Sequence, residues 1–228
     1  MVQRRARRRA RGHKKVACFS ESPADDAALH ILAAAILGRP TEPVWHAGLR
    51  RREGGGWNST LSVLPSVLKE LHLHTDADGL VLILDSDGTP PHLPSHDAPG
   101  GSEAKCRLCQ LRGIAHQVLA RVSPRPHLPP LKIAFGLAVP SIEAWLLCGV
   151  NPQVTEAAWI NGLRESPPRK PYSTQDLKRE LYNTTHPSLS LATEKMKEAA
   201  SRLSETLSLL EQRFPHGYRA LADSLRSW

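Results

Sequence analysis

The sequence predicts an α/β fold: a parallel sheet flanked by helices, with a helical C-terminal extension. Three features carry that expectation. Leu80-Val81-Leu82-Ile83-Leu84 is an unbroken aliphatic run, too short for a typical helix and closed at once by Asp85-Ser86-Asp87-Gly88. Such a run suits a strand buried on both faces, as parallel strands are. Strand-like and helix-like segments then alternate over the first two thirds of the chain, the order expected of successive βα units. Finally, carboxylates fall just past the predicted strands, at the edge where open α/β sheets gather their ligands.

In chain order, residues 15–20 (KVACFS) predict the first strand, and 24–37 a helix with Leu29, Leu32 and Ile36 on one face. Pro23 suits its first turn, Asp25 and Asp26 suit the positive end of its dipole, and Gly38 and Pro40 stop it. A second strand is expected at 44–46, followed by a flexible link through Gly54-Gly55-Gly56. Leu61, Leu64, Leu68 and Leu71 mark the next helix, with Ser62 as a cap that would put Pro65 in the first turn. After the central strand comes an irregular, Pro- and His-rich excursion at 88–101, then a helix over 102–122 and a strand over 131–139. Pro140-Ser141 opens a short apolar helix carrying Glu143 and Trp145. Residues 166–171 read as a linker or lid, and 173–182 and 190–214 as helices. The second of these carries Met196, Ala200, Leu203, Leu207, Leu210 and Phe214 in a stripe that packs on the sheet or a neighbouring helix. The expected organisation is a disordered basic tail at 1–14, an α/β domain at 15–150 and a helical region at 151–228 packed on it.

A chain of 228 residues can bury one sizeable core. No run of about 18 apolar residues exists, so no membrane span is expected. Four irregularly spaced cysteines do not make a secreted disulfide framework, which predicts a reducing, cytoplasmic setting. The formal net charge of +8 is local. Arg4, Arg5, Arg7, Arg8, Arg9, Arg11, Lys14 and Lys15 precede the first acid, leaving 22 basic against 22 acidic residues in the rest. So dense a block of like charge repels itself; it either binds nucleic-acid phosphates or is a solvated leader.

The acidic residues carry the chemistry. Glu21 and Asp25 follow the first strand, Asp85 and Asp87 the third, and Glu143 the fourth. Strand alternation would point Asp85 and Asp87 the same way, so that both reach one cation. Singly, each feature has an ordinary reading: Asp-Gly ends many strands in a turn, and a Glu there is commonly solvated. Together on one sheet edge they repel one another unless a cation intervenes, and hard oxygen donors favour Mg²⁺ or Mn²⁺. The chemistry served by such a cluster is phosphoryl transfer or phosphodiester hydrolysis.

His92, His96, Cys106 and Cys109 have a spacing that fits a tetrahedral Zn²⁺ site. The competing reading, which the sequence favours, leaves Cys106 and Cys109 as reduced thiols facing the core on adjacent turns. Cys18 and Cys148 fall in apolar elements without a base nearby in sequence, which argues against a cysteine nucleophile.

On Glu21, the Glu21-to-Asp25 spacing and Asp85-Ser86-Asp87, the chain resembles the Toprim family of topoisomerases, bacterial primases and nucleases of the overcoming-lysogenization-defect type. Val139-Pro140-Ser141-Ile142-Glu143-Ala144-Trp145-Leu146-Leu147 is similar to a motif of an uncharacterised Toprim-like group, often encoded beside ATPases in bacterial phage-defence systems. The resemblance covers roughly 15–150. It implies a Toprim-like sheet and a cytoplasmic, Mg²⁺-dependent (or Mn²⁺-dependent) nuclease of antiviral defence, acting on DNA or RNA beside an ATPase partner. Glu21, Asp85 and Asp87 would be catalytic, and these three with Asp25 and Glu143 would hold metal. Ser22 departs from the family's usual Gly and would crowd a phosphate at that turn. The basic residue expected against the scissile phosphate is Lys105, Lys170 or Lys178. The alternative is a non-catalytic subunit that keeps the Toprim shell to bind nucleic acid or protein.

Overall fold

A computed structural model of the chain describes residues 13–44, 56–125 and 127–228. Among them, four strands form one sheet in the order β2-β1-β3-β4, every neighbouring pair parallel. These are β1 (Lys14–Phe19), β2 (Thr41–Pro43), β3 (Gly79–Asp85) and β4 (Lys132–Ala138). The helices joining them are α1 (Pro23–Leu37), α2 (Trp57–His74) and α3 (Arg107–Leu119). After β4 come α4 (Ile142–Leu146), α5 (Glu156–Arg164), α6 (Thr174–Tyr182), α7 (Leu189–Ser204), α8 (Leu207–Arg213) and α9 (Gly217–Arg226). The expected α/β architecture, a parallel sheet flanked by helices with further helices at the C-terminal end, is the one observed.

Strand alternation divides the core into two layers. Leu80, Leu82 and Leu84 face α2 and α3, while Val81 and Ile83 face α1 and the C-terminal helices. Burying such side chains removes roughly 2 kcal/mol of unfavourable hydration each, so both faces must be covered. The second layer needs the C-terminal helices: Met196, Leu203, Phe214, Tyr218 and Leu225 share one cluster with the sheet and α1. The part of the stripe on α7, Met196 to Leu203, packs on α1, alongside which α7 lies; Leu210 and Phe214 belong to the same buried cluster beyond the break.

Several boundaries differ from the expectation, each for a local reason. Among the described residues the second strand is Thr41–Pro43, paired with Lys14–Val16; of the expected 44–46, Val44 follows that strand, and Trp45 and His46 lie outside the described residues. Pro65 sits well inside α2, which starts at Trp57 behind Gly56, so Ser62 caps nothing and donates to the Ser59 carbonyl. The helix expected over 190–214 breaks at Glu205-Thr206 into α7 and α8. Neither α5 nor α9 is apparent in the sequence. Gly217, three residues past the expected end of the last helix, begins α9, because only a residue without Cβ fits there. A Cβ at this position would lie 1.8 Å from the Leu137 carbonyl oxygen.

The expected tail at 1–14 and its arginines Arg4, Arg5, Arg7, Arg8, Arg9 and Arg11 lie outside the described residues. Lys14, expected in the tail, opens β1 together with Lys15, which is expected in that strand; Lys14 Nζ is 3.4 Å from Asp78 and Lys15 Nζ 2.5 Å from Asp76. Among the described residues, no helix is long and apolar enough to cross a membrane.

Candidate functional site

Register brings the carboxylates together. Phe19 pairs with Leu82 and Asp85 with Ala138, so β1, β3 and β4 release their chains at one edge of the sheet. Glu21 leaves β1 in the turn before α1, Asp85 is the last residue of β3, and Glu143 lies in α4 just past β4. Glu21, Asp25, Asp85 and Glu143 line one cleft of about 710 Å³, closed from the far side by α6 and α7.

The local structure aims each group. Ser22 caps α1: its hydroxyl accepts the Asp25 N–H at 3.2 Å, and the Asp25 carboxylate accepts the Ser22 N–H at 2.8 Å. The hydroxyl at position 22, where a glycine was expected, thus holds the turn, and it spends one Asp25 oxygen on the cap. Asp85 Oδ1 accepts the Ile142 N–H at 3.0 Å, which ties the end of β3 to the start of α4. Glu143 receives the Ser141 hydroxyl at 2.6 Å on one oxygen and the Tyr182 hydroxyl at 3.4 Å on the other. Glu21 Oε1 is buried with no hydrogen-bond partner.

Asp87 is placed otherwise than strand alternation implied. Alternation ends with β3: Ser86 is buried, and Asp87 adopts a left-handed conformation with φ 50°. Its exposed carboxylate accepts from Arg107 Nη1 at 2.8 Å. Arg107 also donates to the Asp85 carbonyl and stacks 5.0 Å from the Trp57 ring centre. The structure therefore joins Asp85 with Glu21, Asp25 and Glu143, and sets Asp87 at the neighbouring rim against a cation. Arg107 is a site-forming residue that the sequence did not single out. Its position directly after Cys106, at the start of a helix beside the acidic turn, is the only signal it leaves.

The electrostatics report crowding. Burial first, then the charges of Glu143, Glu21 and Asp25, holds the Asp85 carboxyl well above the ordinary range. Burial also pushes Asp25 up to about 7. Glu21 is raised by burial and by Asp87, against an opposing pull from Arg107. Groups that bind protons more tightly when folded stabilise the fold below their unfolded values and stop doing so as pH rises through the folded ones. Without divalent cation, the melting temperature is therefore expected to fall as pH rises from the ordinary carboxylate value of about 4 toward the Asp25 value of about 7. Glu156, buried beneath α9 and raised to about 7, adds to this slope with or without metal. The difference between pH series of melts in chelator and in Mg²⁺ isolates the cleft; identical series would remove the electrostatic reading of it.

Of the three candidate lysines, Lys178 on α6 lines the cleft. Lys170 lies over the Trp159 ring, and Lys105 lines a separate depression beside Pro90 and Leu163. Cys18 Sγ is 3.8 Å from His30 Nδ1, a base that sequence distance concealed, but burial pushes the thiol far up and away from nucleophilic use.

His92, His96, Cys106 and Cys109 also converge, with one ligand atom from each lying within 4.8 Å of the others. They could hold a metal ion. This cluster belongs to the excursion between β3 and α3 and is distinct from the acidic cleft.

No family model matches the chain, and no curated protein or solved structure does so either.

Proposed function

We propose that the chain is a Mg²⁺-dependent (or Mn²⁺-dependent) nuclease with a Toprim-like acidic site, acting on DNA or RNA. One observation carries the reading: carboxylates from three strand ends meet in one cleft, with a Glu21 oxygen buried and unpartnered and protons held to about neutrality. A cluster so arranged is under electrostatic strain that a hard cation relieves. Asp85, Glu21 and Glu143, with the Asp25 oxygen not spent on the cap, would hold it. When bound, such an ion offsets charge on a phosphodiester and lowers the pKa of a coordinated water. Lys178 would hold the scissile phosphate from the α6 side, and Arg107 keeps Asp85 at the strand end through its carbonyl.

The biological setting we infer is cytoplasmic antiviral defence beside an ATPase subunit; the Val139–Leu147 motif supports it. A second reading, a non-catalytic subunit binding nucleic acid or protein, draws on the Asp87–Arg107 pair, which occupies one of the expected metal ligands.

Incubating the chain with single- and double-stranded DNA and RNA, in Mg²⁺, in Mn²⁺ and in chelator, separates the two. Metal-dependent cleavage supports the nuclease; binding without cleavage supports the subunit. Lys178→Ala is expected to lower cleavage on the order of a hundredfold, as losing one donor to a developing anion does. It should leave the Mg²⁺-induced rise in melting temperature unchanged, because Lys178 is not a ligand. Loss of both would instead make Lys178 part of the fold of the cleft.

A further inference from the structure

We propose that His92, His96, Cys106 and Cys109 form a structural Zn²⁺ site that staples the excursion between β3 and α3 and thereby sets Arg107 at the acidic edge. The donor set of two imidazoles and two thiolates is a soft, tetrahedral one that suits Zn²⁺ and leaves no open position for water.

The spacing of the donors fits such an ion. Ordinary zinc–sulfur and zinc–nitrogen bonds in a tetrahedron put N and S about 3.5 Å apart. His92 Nδ1 lies 3.5 Å from Cys106 Sγ and 3.7 Å from Cys109 Sγ, and His96 Nδ1 lies 3.8 Å from Cys109 Sγ. The two imidazole rings meet edge to face, at 85° and 5.2 Å between centres, as rings converging on one tetrahedral point do. His92 and Cys106 are buried, so the ion would sit out of bulk water.

The surroundings supply a second, independent indication. Metal-binding histidines usually donate their other ring N–H to a carboxylate. His92 Nε2 is 3.2 Å from Asp97 Oδ1, and Asp97 is itself held by Arg112. Arg112 Nη1 also lies 3.2 Å from Nε2, so a metal-free imidazole has two tautomers to choose between. An ion on Nδ1 selects the one that donates to Asp97, and Asp97 is then a positioning residue. His96 Nδ1 has one competing contact, a long 3.5 Å approach from the Leu93 N–H, which the ion would displace.

The consequence reaches the cleft. Cys106 is the N-cap of α3 and Cys109 lies in its first turn, so anchoring both fixes Arg107, one of the two residues between them in sequence. Arg107 in turn holds the Asp87 carboxylate and the Asp85 carbonyl. The peptide bond after Lys105, an exposed residue directly before Cys106, is the tryptic site that such a staple would hold out of the extended form a protease needs.

The test is metal analysis of the full chain purified without chelator, followed by exchange with Co²⁺. The expected result is close to one Zn²⁺ per chain and, after exchange, the intense visible bands of tetrahedral Co²⁺ with thiolate charge transfer. Cys106→Ser and Cys109→Ser should each lose the metal. Asp97→Asn should keep the fold and weaken zinc affinity about 10–100-fold, as loss of an outer-shell partner does. A zinc-removing chelator should expose Lys105 to trypsin in the wild type. A wild-type chain that contains no zinc and takes up neither Zn²⁺ nor Co²⁺ overturns the proposal. So does a Cys106–Cys109 disulfide, or stoichiometric iron in place of zinc.

Discussion

On the nuclease reading proposed above, Asp85→Asn is expected to lower metal-dependent cleavage by at least on the order of a hundredfold, because losing a ligand would remove several kcal/mol of stabilisation at the phosphate. Asparagine keeps the shape and an oxygen that can still accept the Ile142 N–H, so the tie between β3 and α4 survives. What disappears is one ionisable carboxyl from a group of four. The metal-free variant should therefore melt at or above the wild-type temperature, since burial and the neighbouring carboxylates, which raise the Asp85 carboxyl well above the ordinary range, no longer act against an ionisable group there. Asp85→Ala removes the charge and the hydrogen bond together and should melt lower than Asp85→Asn. Comparing the two substitutions in chelator separates the electrostatic cost of Asp85 from its service as a cap. Wild-type activity in Asp85→Asn would exclude Asp85 from the chemistry.

Trp145→Ala carries the largest expected loss of stability, about 3–5 kcal/mol, the range for emptying a buried aromatic site. The indole is fully buried, stacks edge to face on Tyr218 at 5.3 Å, and lies over Gly136. Gly136 has no side chain in the way; a Cβ there would come within 3.1 Å of the indole. At roughly 2–4 °C per kcal/mol for a chain of this size, a fall of about 10 °C is expected in thermal melts. Trp145 Nε1 is buried without a partner. Trp145→Phe removes that orphan donor and keeps most of the apolar volume, so it should cost much less than alanine. The same residue anchors α4, which carries Glu143 into the cleft. An alanine variant as stable as the wild type would mean that α4 is not held by this packing.

The layout of the sheet was legible because burial on two faces writes itself into composition. Leu80 to Leu84 and the helical spacing of Leu29, Leu32 and Ile36 leave few other ways to hide so much apolar surface. The gathering of Glu21, Asp25, Asp85 and Glu143 followed from parallel topology alone, since every βα turn then lies on one edge. What was not legible depended on contacts between distant segments. Asp87 required the left-handed turn after β3 and the arrival of Arg107 from α3. The His/Cys cluster required the fold of the excursion, which spacing alone cannot specify; Cys106 lies in the core with Cys109 packed against it, as the sequence favoured, and both thiols also come against His92. Helix α9 was concealed because Gly217 serves close approach to Leu137, while glycine in sequence signals a stop. Buried Glu156, which accepts the His216 and Gly217 N–H groups at 2.7 and 3.0 Å, holds that turn and looked like any helix-start acid.

The most direct test of the acidic cleft as a cation site needs no substrate. Thermal melts of the wild type and of Asp85→Asn, each in chelator and in excess Mg²⁺ or Mn²⁺ near pH 7.5, read the site by linkage: a ligand at about 100 times its dissociation constant adds about 2.7 kcal/mol. At that saturation the wild type should melt several degrees higher with the cation, and Asp85→Asn should shift far less. A wild type whose melting temperature and pH dependence ignore both cations would contradict the account, leaving the four carboxylates as a cluster that holds protons and no metal.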